Sequence, residues 1–160
     1  MRLLRVFLVL SLAAGAAFAE CSGGSDLAEE RASLLLALKS APSEEAAGLI
    51  VNDLWNLWGT APDAETQTIL DQAMQARAEF RLEEAIIGFD RLIWRCPDYA
   101  EPYNQRAFAY FLLGDHAAAL ADLDRAIERL PDHLGAIVGK GMILLQQGQE
   151  AEGQALLKQA

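Results

Sequence analysis

The side chains that could do chemistry are few and widely spaced. The chain has two cysteines, Cys21 and Cys96, and two histidines, His116 and His133. Neither histidine has a serine or cysteine nucleophile near it in the helical pattern, so both are predicted to lie in solvated turns. Two cysteines and two histidines also leave too little material for a structural zinc site. No catalytic residue, metal ligand or cofactor is therefore predicted.

A run of small residues at 135–141 is superficially similar to a phosphate-binding loop, because it reads Gly-Ala-Ile-Val-Gly-Lys-Gly. It lacks the required spacing and the serine or threonine that must follow the lysine. We therefore interpret the run as small residues on the surface of a helix. With this motif set aside, an enzyme is the least favoured class of function.

The charge of the chain excludes other classes. It has 160 residues and a formal net charge of −10, from 13 basic and 23 acidic residues, so a basic footprint for nucleic acid is absent. Acidic residues such as Asp122 recur beside Arg125 on one predicted helix, and we interpret them as a solvated face. Hydrophobic residues make up 52 % of the chain, which excludes a wholly disordered protein.

Residues 1–19 are typical of a secretory signal peptide. Two arginines precede an uncharged apolar run at 6–17, and Ala-Phe-Ala at 17–19 supplies the small residues that signal peptidase requires. Cleavage is predicted between Ala19 and Glu20, which would give a periplasmic or secreted protein. The alternative is a retained membrane anchor, but a dozen apolar residues are too few to span a bilayer of about 30 Å.

If the protein is exported, its two cysteines could be modified by lipid or could form a disulfide. Lipid attachment at Cys21 is disfavoured because Glu20, not a small residue, precedes it. In an oxidising compartment a disulfide between Cys21 and Cys96 becomes possible, and it would fix the N-terminus of the mature chain. Two unpaired thiols and an intermolecular bridge through Cys21 remain as alternatives.

The predicted helices of this chain recur with a regular spacing. From residue 26 onward the pattern is helical, and short breakers separate the helices. Three pairs of residues are 34 positions apart: Pro97 and Pro131, Gly114 and Gly148, and Ala85 and Ala119. A constant period of this length indicates stacked helical hairpins.

The pattern resembles the tetratricopeptide repeat, in which two helices carry small and large residues at fixed positions. The copy at 100–133 fits best, and further copies are placed at about 66–99 and 134–160. The matching positions of the best copy hold Tyr103, Arg106, Ala107, Tyr110, Ala119, Leu123, Ala126 and Pro131. Arg106 departs from the leucine that is usual in the family. Phe80 occupies a turn position where glycine is expected, so we predict another geometry for that turn.

The resemblance implies an all-α fold, a right-handed α-solenoid of helix hairpins with about eight helices in the mature chain. We place the tetratricopeptide domain at 63–160. Before it, at 20–62, we expect a divergent helical hairpin that packs on the repeat at 66–99.

The second helix of this N-terminal hairpin carries Trp55 and Trp58, which are neighbours on the helix surface. In this respect the chain is similar to small exported bacterial tetratricopeptide proteins with a Trp-x-x-Trp helix before the repeats. Two interpretations remain open. The tryptophans either cap the end of the solenoid or form an aromatic ledge for a partner.

Members of the family use their first helices to line a concave groove that binds a peptide. Carried over to this chain, the groove positions are Leu70, Met74, Arg77, Asn104, Phe108, Phe111, Val138, Met142 and Leu145. This row is largely apolar. The positions where some members carry the Lys, Arg and Asn that hold a C-terminal carboxylate are occupied here mainly by Leu70, Met74, Gln105, Gly135 and Gly139, so that clamp is not predicted. The alternative is that self-association or the N-terminal helices bury the row.

The resemblance therefore implies an exported, non-enzymatic interaction module that binds a protein or peptide through an apolar groove. The alternative is a structural subunit whose surface is buried in a homo-oligomer or a larger envelope complex. A nucleic-acid partner and stable membrane insertion after signal cleavage are not expected. The sequence leaves the partner's identity and the oligomeric state open.

The signal peptide gives a direct test. We expect the exported protein to begin at Glu20, because the Ala-Phe-Ala site ends at the preceding residue. Intact-mass spectrometry of the exported protein measures this. A mass that includes the first arginines, or a lipid on Cys21, would contradict the prediction.

Overall fold

A computed structural model describes Cys21 and residues 25–159, and every regular element in that part of the chain is an α-helix. The eight helices there are α1 (Ser25–Lys39), α2 (Glu44–Trp58), α3 (Ala64–Ala78), α4 (Leu82–Arg95), α5 (Ala100–Leu112), α6 (His116–Arg129), α7 (Leu134–Gln146) and α8 (Glu150–Gln159). The predicted all-α class and the number of helices are confirmed. The predicted signal peptide and its cleavage site lie outside the described residues. None of the helices in the described part is long and apolar enough to cross a bilayer.

Three antiparallel hairpins, α3–α4, α5–α6 and α7–α8, form the solenoid because small residues let their helices approach closely. Ala85, Ala107 and Ala119 are almost completely buried where the helices of the first two hairpins cross. In the third hairpin glycines take this role. A Cβ atom added to Gly153 would lie 2.8 Å from the carbonyl oxygen of Gly141, closer than real contacts allow.

Large apolar side chains fill the space around these crossings. Leu70, Phe89 and Leu92 are completely buried in the core of the first hairpin. Tyr103 and Leu123 belong to a second cluster, which extends into α7. Each hairpin therefore covers the apolar face that its neighbour cannot bury alone.

The turns inside the three hairpins share one geometry, and the prediction of a different turn at Phe80 is wrong. Phe80 has a φ of 59°, close to the 79° of Gly114 and the 78° of Gly148. In the first turn the Arg81 amide donates to the Ala76 carbonyl over 2.8 Å, and an equivalent bond closes each of the other two turns. Phenylalanine thus adopts a left-handed backbone conformation that favours glycine.

Arg106, which stands where the family usually has leucine, crosses between helices. Its guanidinium donates to Asp122 on α6, with Nε 2.7 Å from Oδ2, and also pairs with Asp90 on α4. Burial alone would lower the pKa of Arg106, but the hydrogen bonds with both carboxylates outweigh it and raise that pKa. Asp122 is only 2 % exposed, so its predicted place on a solvated face is wrong.

The N-terminal hairpin of α1 and α2 contacts the repeat at 66–99, on which it was expected to pack, and also reaches beyond it. The Gln67 side chain of α3 donates to the Gly59 carbonyl at the end of α2 over 3.0 Å, and the Tyr99 hydroxyl donates to the Trp58 carbonyl over 2.7 Å. Trp58 also stacks on His133 in the loop between α6 and α7. Arg31 of α1 adds an ion pair with Asp132 in the same loop, at 3.2 Å. A large aromatic surface and a complementary ring, not the repeat spacing, determine this position.

The strained turn yields a stability prediction. We expect Phe80→Gly to raise the free energy of unfolding by about 0.5–1 kcal/mol, because glycine removes the left-handed strain and the lost side chain is mostly exposed. Gly114→Ala, the matched change in the next turn, should lower it by about 1 kcal/mol. Urea unfolding followed by circular dichroism measures both. Destabilisation by Phe80→Gly would mean that the phenylalanine ring contributes packing.

Candidate functional site

A cavity of about 560 Å³ lies on the side of the solenoid formed by the first helix of each hairpin. Its walls come from α3, α5 and α7, and α2 of the N-terminal hairpin supplies a further wall. Six of the nine predicted groove residues line it: Met74, Arg77, Asn104, Phe108, Phe111 and Met142.

The other three predicted groove residues lie outside the cavity lining. Leu70 is completely buried in the core of the first hairpin. Val138 is 36 % exposed on α7. Leu145 faces α8, since its side chain occupies the space where a Cβ on Gly153 would project. All three predicted positions on α5 therefore line the cavity, whereas one on α3 and two on α7 do not.

The apolar part of the cavity is accessible to solvent. The Phe108 and Phe111 rings are nearly parallel, with centroids 6.4 Å apart, and Phe108 is 45 % exposed. Met142 on α7 is 58 % exposed, and Met74 on α3 completes the apolar wall. Exposed apolar side chains in a concave site are typical of a surface that binds a ligand or a protein.

Arg77 is the basic residue in this lining. Its guanidinium lies 4.7 Å from the centroid of the Phe108 ring, a cation–π arrangement. Among the described residues its buried Nε has no hydrogen-bond partner. Burial lowers the pKa of Arg77, and the negative charge of Glu101 acts in the opposite direction.

A buried polar network lies behind the cavity. His133 Nε2 is 2.7 Å from a carboxylate oxygen of Glu101, and both side chains are buried. Because His133 Nδ1 accepts a hydrogen bond from the Ala136 amide, Nε2 carries the proton and donates to Glu101. The side-chain amides of Asn104 and Gln105 donate to the same carboxylate. Every oxygen of Glu101 is therefore engaged within the protein.

His133 lies in the predicted loop between repeats and His116 directly follows the predicted turn, but neither side chain is fully solvated as predicted. His133 is completely buried and caps α7 through its ring. His116 is partly buried at the start of α6, and its ring stacks on Phe111 with centroids 5.5 Å apart. Aromatic contacts between separate elements, which no local pattern reveals, account for both placements.

The two tryptophans of α2 have different environments. Trp58 is 5 % exposed and lies on His133 with ring centroids 4.4 Å apart and nearly parallel planes. Trp55 is 40 % exposed, stands edge-on to Trp58 and lines the cavity. Its indole rests on Gly135 of α7 so closely that no Cβ would fit there. The contribution of α2 to the cavity has no sequence signal beyond the tryptophan pair and this glycine.

The structure joins Cys21 to Cys96 as an intramolecular disulfide, with Cα atoms 5.5 Å apart. The bond links the segment before α1 to the end of α4. The carboxylate of Asp63 lies within 4.8 Å of both sulfur atoms. Because the two sulfurs are bonded to each other, they are not thiolate ligands in this form. Asp63 instead caps α3 and accepts a 2.8 Å hydrogen bond from the Thr66 amide.

Comparison with known sequences identifies the repeat. Residues 100–133 match the sequence model of the tetratricopeptide repeat. A TPR repeat-containing protein of Rhizobium etli is 29 % identical over 113 residues, which are 71 % of this chain and 55 % of the relative. Tetratricopeptide repeat protein 36 of Xenopus tropicalis is 33 % identical over 105 residues, 62 % of this chain and 52 % of the relative. The chain thus spans about half the length of these relatives.

Comparison with solved structures shows the same fold. The TPR2AB domain of yeast Sti1, solved as a complex with pHSP90, has a TM-score of 0.57 and 18 % identity. The match covers 83 % of this chain and 54 % of the Sti1 chain. The stacked helix hairpins define an α-solenoid. Residues 100–133 match the tetratricopeptide repeat, and the related proteins carry the same repeat, as the sequence pattern predicted.

The attachment of the N-terminal hairpin gives the next prediction. Trp58→Ala should lower the free energy of unfolding by about 3 kcal/mol, since it removes a buried indole and leaves a cavity over His133. Trp94→Ala is the matched control, because Trp94 is 80 % exposed and its loss should change stability by less than about 0.5 kcal/mol. Urea unfolding of the oxidised protein compares the two. Equal effects would contradict the placement of α2 against the α6–α7 loop.

Proposed function

We propose that this chain is an exported, non-enzymatic interaction module that binds a protein or peptide in the cavity between α2, α3, α5 and α7. The observation that carries the proposal is the exposed apolar surface inside that cavity, where Phe108 and Met142 face solvent. Aromatic side chains anchor partners, and methionine adapts to irregular ones. The Sti1 domain with this fold was solved with pHSP90, which is a precedent for a protein partner.

Export is supported by two independent features. The sequence at 1–19 has the pattern of a secretory signal, with Ala19 before the proposed cut. The disulfide between Cys21 and Cys96 is chemically suited to the periplasm or the extracellular space, where such bonds persist. The cut would leave Cys21 as the second residue of the mature protein, so the disulfide to Cys96 would hold the new N-terminus.

A second candidate function is a structural subunit of a larger assembly. It is favoured by the outer face of α4, where Trp94 is 80 % and Ile87 is 61 % exposed. These residues are seven positions apart, two helical turns, so they lie on the same side of the helix. If this face mediates assembly, the molecular mass in solution rises with concentration, and Trp94→Ser abolishes the rise.

The groove function is tested by placing charges in the cavity. Phe108→Glu with Met142→Glu should leave the protein helical and cooperatively melting, since both side chains already face water. Partner capture by crosslinking in the cell envelope should be lost, because binding would desolvate two unpaired carboxylates.

Ile87→Glu with Trp94→Glu is the matched control, with the same charge change on another exposed face. It should retain the partner that the cavity variant loses. Unfolding of the Phe108 and Met142 variant would show that these side chains are structural. Loss of the partner in the control alone would assign binding to the outer face of α4.

A further inference from the structure

The cavity has a wall that a simple repeat groove would lack. Trp55 extends from α2 to rest on Gly135 of α7, so the N-terminal hairpin bridges the concave surface. The cavity beside this bridge is open to solvent and has a volume of about 560 Å³. Cavities of roughly 300–1,000 Å³ with mainly apolar walls are the usual sites of small molecules. The geometry is therefore suited to a compact ligand as well as to part of a partner protein.

The chemical character of such a ligand follows from the walls. Phe108, Phe111 and Met142 present apolar surface, and Met74 faces them from α3. Flexible methionines on two walls can fit an alkyl chain of variable shape. The ligand is therefore mostly apolar.

One charged side chain on this wall has unused binding capacity. The guanidinium of Arg77 lies over Phe108, and its buried Nε has no hydrogen-bond partner among the described residues. A buried donor without a partner is unfavourable, and a carboxylate is the acceptor that best fits a guanidinium. Arg77 therefore selects a negatively charged group on the ligand.

The carboxylate of Glu101, which lies near Arg77, limits how many negative charges a ligand in this cavity can carry. Glu101 lies close enough to act on Arg77 electrostatically, yet its oxygens already accept from His133, Asn104 and Gln105. It does not satisfy Arg77 Nε, and it would repel a second negative charge on a ligand. One carboxylate beside one guanidinium is therefore the arrangement that the site favours.

We propose that the cavity binds a small apolar acid with a single carboxylate, which pairs with Arg77 while the alkyl chain lies against Phe108 and Met142. This ligand goes beyond the proposed protein partner, and it does not depend on it. A partner segment and the acid would compete for the same space.

The probe is octanoate, with methyl octanoate as its uncharged counterpart. Isothermal titration of the purified protein with its disulfide intact should show one octanoate site. Methyl octanoate should bind about tenfold or more weakly, since it cannot form the ion pair. Equal affinities for the two compounds would overturn the role of charge without any variant.

Variants then test the assignment to Arg77. Arg77→Gln should weaken octanoate binding about tenfold and leave methyl octanoate unchanged, while Arg77→Lys should retain part of the preference. Arg91→Gln is the matched control, because Arg91 is an exposed arginine outside this cavity. Undiminished octanoate binding by Arg77→Gln would overturn the proposal.

A further titration with a peptide distinguishes a small acid from the C-terminus of a protein as the source of the carboxylate. An acetylated peptide that ends in leucine with a free carboxylate should bind more weakly than octanoate. Tighter binding of the peptide would overturn the small acid as the ligand. The partner-capture experiment is independent, so octanoate can bind even if no protein partner is captured, and the reverse also holds.

Discussion

The arrangement depends on one imidazole ring that contacts three separate elements. His133 caps α7 through Nδ1, donates to Glu101 of α5 through Nε2, and offers its face to Trp58 of α2. The two hydrogen bonds fix the neutral tautomer, and the flat ring leaves a surface on which an indole can stack. Without this residue, the N-terminal hairpin would lose the stacking contact of Trp58 with the repeats. The position of the α2 wall of the cavity, Trp55 included, follows from that contact.

Local periodicity predicted the repeats but not the tertiary contacts between distant elements. The 34-residue spacing located the three hairpins, their turns and the small residues at their crossings, because these depend on nearby residues. It failed at Phe80, since a strained left-handed turn is compatible with a residue that rarely adopts it. It also misplaced His133 and Asp122, whose burial depends on partners far away in the sequence. The pairing of Arg106 with Asp122 shows why leucine was not needed at that position.

In the candidate site, too, the contributions of the repeat helices follow from local periodicity, whereas the contribution of α2 depends on distant contacts. Met74, Phe108 and Met142, three of the predicted groove residues, line one cavity because the helix register of the repeat fixes which face they share. Trp55 was not assigned to the groove, since the docking of α2 across the repeats has no periodic signature. The result is a cavity with walls from two sources. The repeats supply the apolar wall and Arg77, and the divergent hairpin adds a wall to the cavity on another side.

The disulfide and the docked hairpin also change how the solenoid responds to stress. A stack of repeats in which each unit touches only its neighbours can open from either end, one unit at a time. Here Cys21 is covalently joined to Cys96 at the end of α4 across 75 positions, and Trp58 contacts the loop before the third hairpin. Closing a loop of that size stabilises a chain by about 4 kcal/mol in the entropic account. The disulfide links the segment before α1 to the first repeat hairpin, and the Trp58 contact links α2 to a non-adjacent loop, so we expect opening at one end of the stack to be coupled to the units beyond it.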